Sequence, residues 1–552
     1  MNFQVKSFFI IVYSAMNSGK KLEFFMIGLV IILSFLIIES PHLETGLPLH
    51  SDSYDNIAIT QKSIETGTIF LGNPYTPSPE KSFSQEQTNS ADLQAGYTAV
   101  LLSATLFGLI NPINLPLYFP WIVSLLLFAA TFILLKKLCS HEYCAFIGAL
   151  FVFFIPSSQL MLGPVLLTAS SFALFLLPIL IWLGHNAITE KKNQKSFVAL
   201  MLISGFIYPP VVIIALLSLL VFLVFSPELL KKNIKPILKT TALFGTLFVM
   251  YILFLFIQIG ADLISLYSNY GFEFVFAVAD FIMDQLLFKQ NFSPQIPFLD
   301  SYLGLVLFLF GLISLVFFTW NYFKHNENSS FSIIFLSAIL FSALAFLGLF
   351  FGRGVLIPTE RLVFFAGYFL LISAGLFLWK IFNIASQKLG FENKKKTCFF
   401  VASAVVLSFL IVASASVKTE SFDSNIISSE LRGINWINEN TNKTDFFLAA
   451  PYISKPISVF TRRQVACTTS TRFGCSPEMN LLTASFFFAE CSDKQKILEE
   501  YFPADYVLVQ KELVFKGNTI KFPEQNCDFL KVVFNEENIR IYKTNLHIKQ
   551  GE

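Results

Sequence analysis

The stretch YTAVLLSATLFGLI (97–110) decides how the chain is threaded. It is apolar enough to enter a membrane, yet shorter than the roughly 20 residues a helix needs to cross the hydrocarbon core. It stops at Asn111-Pro112. Around it lie eleven apolar runs, near 22–38, 115–135, 143–162, 166–184, 197–208, 210–226, 237–259, 301–323, 331–350, 362–382 and 398–416. The stretch 197–226 is divided at Pro209-Pro210, because proline cannot continue a hydrogen-bonded helix. Whether 97–110 crosses therefore sets the side on which every later loop falls.

Charge answers the question, since Lys and Arg favour the cytoplasmic side of short loops. With 97–110 lying along the outer surface, the spans alternate from an inside N-terminus. The inside segments then carry eighteen lysines, from Lys6 to Lys396. The outside segments before residue 417 carry five cations: Lys62, Lys81, Lys289, Arg353 and Arg361. A crossing at 97–110 reverses that bias. The run FFIIVYSAM (8–16) does not read as a cleaved signal, because a full span follows it and no small-residue cleavage site does.

The composition fits this threading. Of 552 residues 54% are hydrophobic and 14% charged, with 66 Phe, and the mean hydropathy is +0.63. Soluble proteins are roughly 45–50% apolar and about 25% charged, so a soluble enzyme is excluded, as is disorder. The net charge of +2 implies no nucleic-acid partner. Residues 1–416 hold the long apolar runs, whereas 417–552 read as an ordinary soluble domain. There ISSELRGINWINENT predicts a helix, and DFFLAA, YVLVQK, FLKVVFN and NIRIYK predict strands. The expected fold is a polytopic α-helical membrane protein, in the cell membrane, with a cytoplasmic N-terminus and a small C-terminal extracytoplasmic α/β domain. Cys467, Cys475, Cys491 and Cys527 fall in that domain, where an oxidising space permits three pairings. Cys467–Cys475 with Cys491–Cys527 is the expected pairing, and four free thiols are the alternative. No Cys/His spacing points to zinc.

The first outside loop (39–96) contains PLHSDSYDNIAITQKSIETG (48–67). A helix is predicted over 52–66, with Ser51 as N-cap and Gly67 as stop. Tyr54, Ile57 and Ile64 form an apolar stripe suited to the membrane surface. Asp52, Asp55 and Asn56 share one face of the first turn, where the helix N-terminus favours an ionised carboxylate. Periodicity alone favours a capped surface helix with two solvated acids; a carboxylate poised for chemistry is the sharper alternative. A second large outside loop (260–300) is partly apolar and reads as a surface helix. In FGRGVLIPTER (351–361), Arg353 and Arg361 are either snorkelling anchors or an anion clamp at membrane depth.

These segments together resemble the GT-C superfamily of membrane glycosyltransferases, closest to the protein mannosyltransferase and aminoarabinose-transferase group and family-39-like enzymes. Asp52, Tyr54, Ala58 and Gly67 match the family's D-x-Y-x-x-x-A…G helix. AGYTAVLLSATLFG (95–108) is similar to its in-plane segment (97–112 here), with Ala95-Gly96 where many relatives carry Pro-Pro. PTERLVFFAGYFLL (358–371) is similar to its Arg-led late span. ELRGINWINENTNKTDFFLAA (430–450), ISVFTRR (457–463) and FLKVVFNEENIRIYK (529–543) look like its C-terminal domain. A WWDYG-type signature is absent, which favours single-sugar over en bloc transfer.

The resemblance implies a polyprenyl-phosphate sugar donor, membrane lipid contacts, and a glycan, protein or lipid acceptor. Asp52 is the expected base for the acceptor hydroxyl, and Arg353 and Arg361 the expected donor-phosphate residues. Asp55, Glu80 and Asp92 are candidates for a second acid or acceptor contact. No cofactor is certain; a divalent metal (Mg or Mn), held by carboxylates such as Asp52 and Asp92, is one option. The implied outcome is inversion by direct displacement. The alternatives are a multi-span transporter or flippase, or a non-catalytic membrane scaffold. The charges gather at span ends and no repeat relates the two halves, which disfavours a transporter.

Overall fold

The computed structural model describes residues 27, 28, 30–32, 34–39, 48, 51–67, 74–76, 100–102, 105, 111–139, 141–155, 167–226, 302–325, 332–351, 359–388, 426, 428–467, 477–515 and 518–545. The expected spans at 237–259 and 398–416, the segment 8–16 and the loop 260–300 lie outside them. A helix of the first loop, α1 (Ser51–Thr66), is followed by a bundle. The bundle contains α2 (Leu115–Cys139), α3 (Glu142–Leu150), α4 (Ala169–Thr189), α5 (Gln194–Ile207), α6 (Pro209–Val224), α7 (Tyr302–His325), α8 (Ser332–Phe351) and α9 (Thr359–Lys388). Among the described residues, three stretches are long and apolar enough to cross a membrane: Pro112–Cys139, Ala169–Thr189 and Arg361–Ala385.

Helix α9 is the spine of the bundle. It is apolar on all sides, as a fully enclosed helix must be, and every residue from 362 to 377 is buried. It packs on α8, α7 and α3. Against α3 the backbones themselves meet: a Cβ at Gly375 would lie 2.9 Å from Gly148 Cα and 3.0 Å from the Ile147 carbonyl oxygen. Small residues at such a crossing let helices approach closely without a hydrophobic driving force in lipid. Thr131 on α2 and Tyr368 on α9 share a buried hydrogen bond of 3.1 Å. The outer surface of the bundle is apolar too. Val316 is 71% exposed, and Trp320, Phe346, Leu220 and Ile203 are exposed as well, a surface suited to lipid rather than water.

Two expectations are refined. The run expected to span 143–162 is α-helical only to Leu150 and then tightens into a 3₁₀ turn, Phe151–Phe154. The proline break falls at Tyr208, whose extended backbone ends α5 and places Pro209 and Pro210 in the first turn of α6, where a missing N–H has no helical partner to lose.

The bundle's two ends differ. At one end Lys136 pairs with Glu142 at 2.6 Å, Lys137 and Lys192 both pair with Glu190, and Trp379 of α9 lies against His141. This is the lysine-rich end. The other end carries α1, which contacts the start of α2 and of α4.

The tail folds around a mixed sheet. It contains α10 (Ser428–Asn440), β1 (Phe446–Ala449), α11 (Pro451–Thr461), β2 (Gln464–Val465), α12 (Pro477–Phe486), α13 (Cys491–Glu500), β3 (Tyr506–Gln510), β4 (Glu512–Phe515), β5 (Asn518–Lys521), β6 (Leu530–Asn535) and β7 (Ile539–Thr544). The sheet order is β2-β1-β3-β7-β6, with β1 parallel to both β2 and β3 and the other pairs antiparallel. β4 and β5 form a separate hairpin. Phe447, Leu448, Ile457, Val507, Leu508 and Ile541 fill the core. Cys491 is joined to Cys527, with a Cα–Cα distance of 5.6 Å. Cys467 is also disulfide-bonded, and Cys475 lies outside the described residues.

Gly375→Leu is expected to drive α9 off α3, because the atoms in the way are backbone. The purified variant's thermal midpoint in detergent should fall by several degrees or the protein should fail to accumulate, whereas Gly205→Ala, with open space at 4.0 Å, should change it little.

Candidate functional site

Helix α1 runs from Ser51 and stops at Gly67, whose positive φ of 68° suits the residue after a helix. From Ser53 to Gln61 every residue is buried. On the bundle side Tyr54, Ile57 and Ala58 pack with Leu101, Leu115, Phe119 and Leu167, and the Ser53 hydroxyl donates to the Leu167 carbonyl. On the opposite side sits α11 of the tail. The expected placement of Tyr54, Ile57 and Ile64 on a membrane surface is therefore corrected. Tyr54 and Ile57 are enclosed, and only Ile64 is exposed. The tail supplies a second covering surface that the periodicity of α1 cannot reveal.

The covering helix α11 has a matching pattern. Ile453 and Ile457 face the tail's core, while Val459 joins the cluster around α1. Lys455 lies two residues from Ile453, on the opposite side of the helix, and one turn before Val459. Its ammonium nitrogen is 2.8 Å from Asp55 Oδ2, with the two side chains 1% and 0% exposed. Around this buried pair, Tyr54 meets Phe460 edge-on at 6.0 Å and Arg462 pairs with Glu65. The Val465 N–H donates to the Tyr75 carbonyl at 2.8 Å, and Lys62 lies over the Tyr75 ring. Burial, with Glu430 adding a smaller effect, pushes the Tyr54 phenol above its ordinary range. Tyr75 is pushed up to about 12, by burial first and by Glu65 second, with Arg462 opposing. Both hydroxyls stay neutral at physiological pH.

The site residues expected from the sequence fall as follows. Asp52 occupies the first turn of α1, three residues before Asp55. Asp55 is not a solvated surface acid but half of the buried pair. Arg361 stands in the first turn of α9, half-buried. It precedes Trp379 by about 27 Å of helix, at 1.5 Å per residue. Trp379 belongs to the lysine-rich end, so Arg361 lies toward the end that carries α1. Arg353, Glu80 and Asp92 lie outside the described residues. Sequence reasoning missed Lys455; its signal was a lone cation between two serine-flanked isoleucines in an otherwise apolar helix. Among the described residues no group of three His, Cys, Asp or Glu gathers to hold a metal, and the Asp55 carboxylate is already engaged by an ammonium.

No protein-family model matches the chain, and neither does any curated protein. Solved structures do match. The oligosaccharyltransferase AglB of Archaeoglobus fulgidus, in complex with an inhibitory peptide and a dolichol-phosphate, superposes with a TM-score of 0.53 at 13% identity, over 88% of this chain and 69% of AglB. The same organism's oligosaccharyltransferase with Zn and sulfate gives 0.56 at 14% identity, over 88% and 68%. ArnT of Cupriavidus metallidurans bound to undecaprenyl phosphate gives 0.53 at 11% identity, over 96% of this chain and 99% of ArnT. AglB and ArnT are both GT-C glycosyltransferases. A helical membrane bundle, a first-loop helix at one end and a small α/β tail above it thus make up a chain with the GT-C fold.

Proposed function

We propose that the chain is a membrane glycosyltransferase that moves a single sugar from a polyprenyl-phosphate donor to a glycan, protein or lipid acceptor on the outer face of the cell membrane. The observation that carries this reading is the superposition on ArnT bound to undecaprenyl phosphate, which runs through nearly the whole of both chains. The lysine-rich end is then cytoplasmic, by the preference of cations for that side. The end holding α1, and the tail above it, are extracytoplasmic.

In this reading Asp52 takes the proton of the acceptor hydroxyl as its oxygen bonds to the anomeric carbon. The bond from that carbon to the phosphate oxygen breaks, and the polyprenyl phosphate leaves with the electron pair, so the configuration inverts. Phosphate is already a fair leaving group and needs its charge met rather than a proton supplied. Arg361, with Arg353, meets it at membrane depth through a planar head that donates several hydrogen bonds. Glu80 and Asp92 remain the acids proposed for acceptor contact, since the buried Asp55 carboxylate is engaged by Lys455. Asp52 with Asp92 are the proposed holders of a divalent metal, which when bound would add positive charge at the leaving phosphate; the described residues themselves assemble no such site.

Purified protein incubated with a panel of polyprenyl-phosphate sugars and acceptors should form glycosylated product from at least one donor. Asp52→Asn should lower transfer by at least about a hundredfold with membrane insertion and yield unchanged; near-normal transfer would remove Asp52 from the role of base. Arg361→Ala should raise the donor's KM or abolish activity, whereas an unchanged donor response would count against the phosphate role. Translocation of the lipid-linked sugar across a vesicle membrane without transfer would favour the flippase reading instead.

A further inference from the structure

Building on the glycosyltransferase reading, we propose that Lys455 of the tail is a positioning residue for transfer, holding α1, and with it Asp52, through the buried ion pair with Asp55. Asp52 and Asp55 are three residues apart and share a face of α1. What fixes Asp55 therefore fixes the turn of α1 that contains Asp52. Among the described residues, the bundle meets α1 with apolar contacts and a hydrogen bond from the Ser53 hydroxyl to the Leu167 carbonyl at 3.2 Å. Apolar contacts are not directional and leave rotation and sliding of the helix cheap. The direction-setting contact comes from the tail, with Lys455 Nζ 2.8 Å from Asp55 Oδ2 and both side chains almost fully buried.

Stability alone does not account for this arrangement. A buried ion pair is often no more stabilising than well-packed apolar residues of similar volume. The same helix also buries the Tyr54 hydroxyl and the Gln61 amide with no hydrogen-bond partner among the described residues, and unsatisfied buried polar groups cost stability. An interface built this way holds a geometry at the expense of tightness, as functional sites do. The other polar tail contacts, Arg462 with Glu65 and Val465 with Tyr75, lie in the last turn of α1 or beyond it, and the ring contact of Phe460 with Tyr54 in the first turns is apolar. Lys455 is the tail cation that reaches its first turns.

The test uses the full-length protein in detergent or nanodiscs. Two readouts are taken in parallel: hydrogen exchange of peptides covering 51–66 and 169–189, and kcat with the donor's KM. Lys455→Met should speed exchange in 51–66 by at least tenfold while leaving 169–189 unchanged. It should lower kcat at least tenfold with the donor's KM within twofold, and Lys455→Arg should restore most of both. If Lys455→Met does not accumulate, Lys455→Gln keeps a hydrogen-bond donor without the charge and is read by the same criteria. Unchanged exchange in 51–66 overturns the clamp, whether or not the protein transfers sugar. Faster exchange with unchanged kcat overturns its catalytic consequence. A wild-type protein that transfers no lipid-linked sugar overturns the functional reading, and the exchange result then decides the clamp by itself.

Discussion

The burial of Asp55 is conditional, and much of the arrangement at the loop end hangs on that condition. An unpaired carboxylate taken out of water costs several kcal/mol, and breaking a buried pair by removing one partner typically costs about 3–5 kcal/mol. Helix α1 buries that carboxylate in its charged form against Lys455, which α11 delivers from four hundred residues later. This couples the element that carries Asp52 to the domain that covers it.

The bundle beneath needs no such condition. Its contacts are mostly apolar, its central helix α9 is enclosed over sixteen consecutive residues from 362 to 377, and a close backbone crossing is set by Gly148 and Gly375. In lipid such packing rests on shape. The bundle fixes where the starts of α2, α4 and α9 stand, and α1 with the tail is what covers the starts of α2 and α4. The disulfide Cys491–Cys527 ties the tail itself, closing a separation of 36 residues.

This arrangement also explains what the sequence disclosed. Long apolar runs have a single physical solution, so α2, α4, α8 and α9 were legible within a few residues, as were α10, β1, β3, β6 and β7 from their periods. Helix α1 was legible as a helix, with its start at Ser51 and its stop at Gly67, but not in its surroundings. Its residues read as a surface helix because Asp55, Asn56, Thr60 and Gln61 are polar, and polarity in one segment says nothing about a partner elsewhere. Lys455 was invisible for the same reason. A lysine in SKPIS carries no sign of an aspartate in another domain, and pairing across domains has no local period to betray it.

Charge placement links these points. At the lysine-rich end the pairs Lys136–Glu142 and Lys192–Glu190 are exposed, and exposed pairs contribute only about 0–1 kcal/mol, so that end serves orientation more than cohesion. At the α1 end the Lys455–Asp55 pair counts for more because it is buried away from water, whereas Arg462–Glu65 is as exposed as the pairs at the other end. Lys455 and Arg462 are matched there by Asp55 and Glu65 on α1. Arg361 takes part in no ion pair among the described residues. A guanidinium at the head of an enclosed helix is costly unless an anion or water meets it, which is the physical ground on which Arg361 is proposed, rather than Lys455 or Arg462, to receive a phosphate.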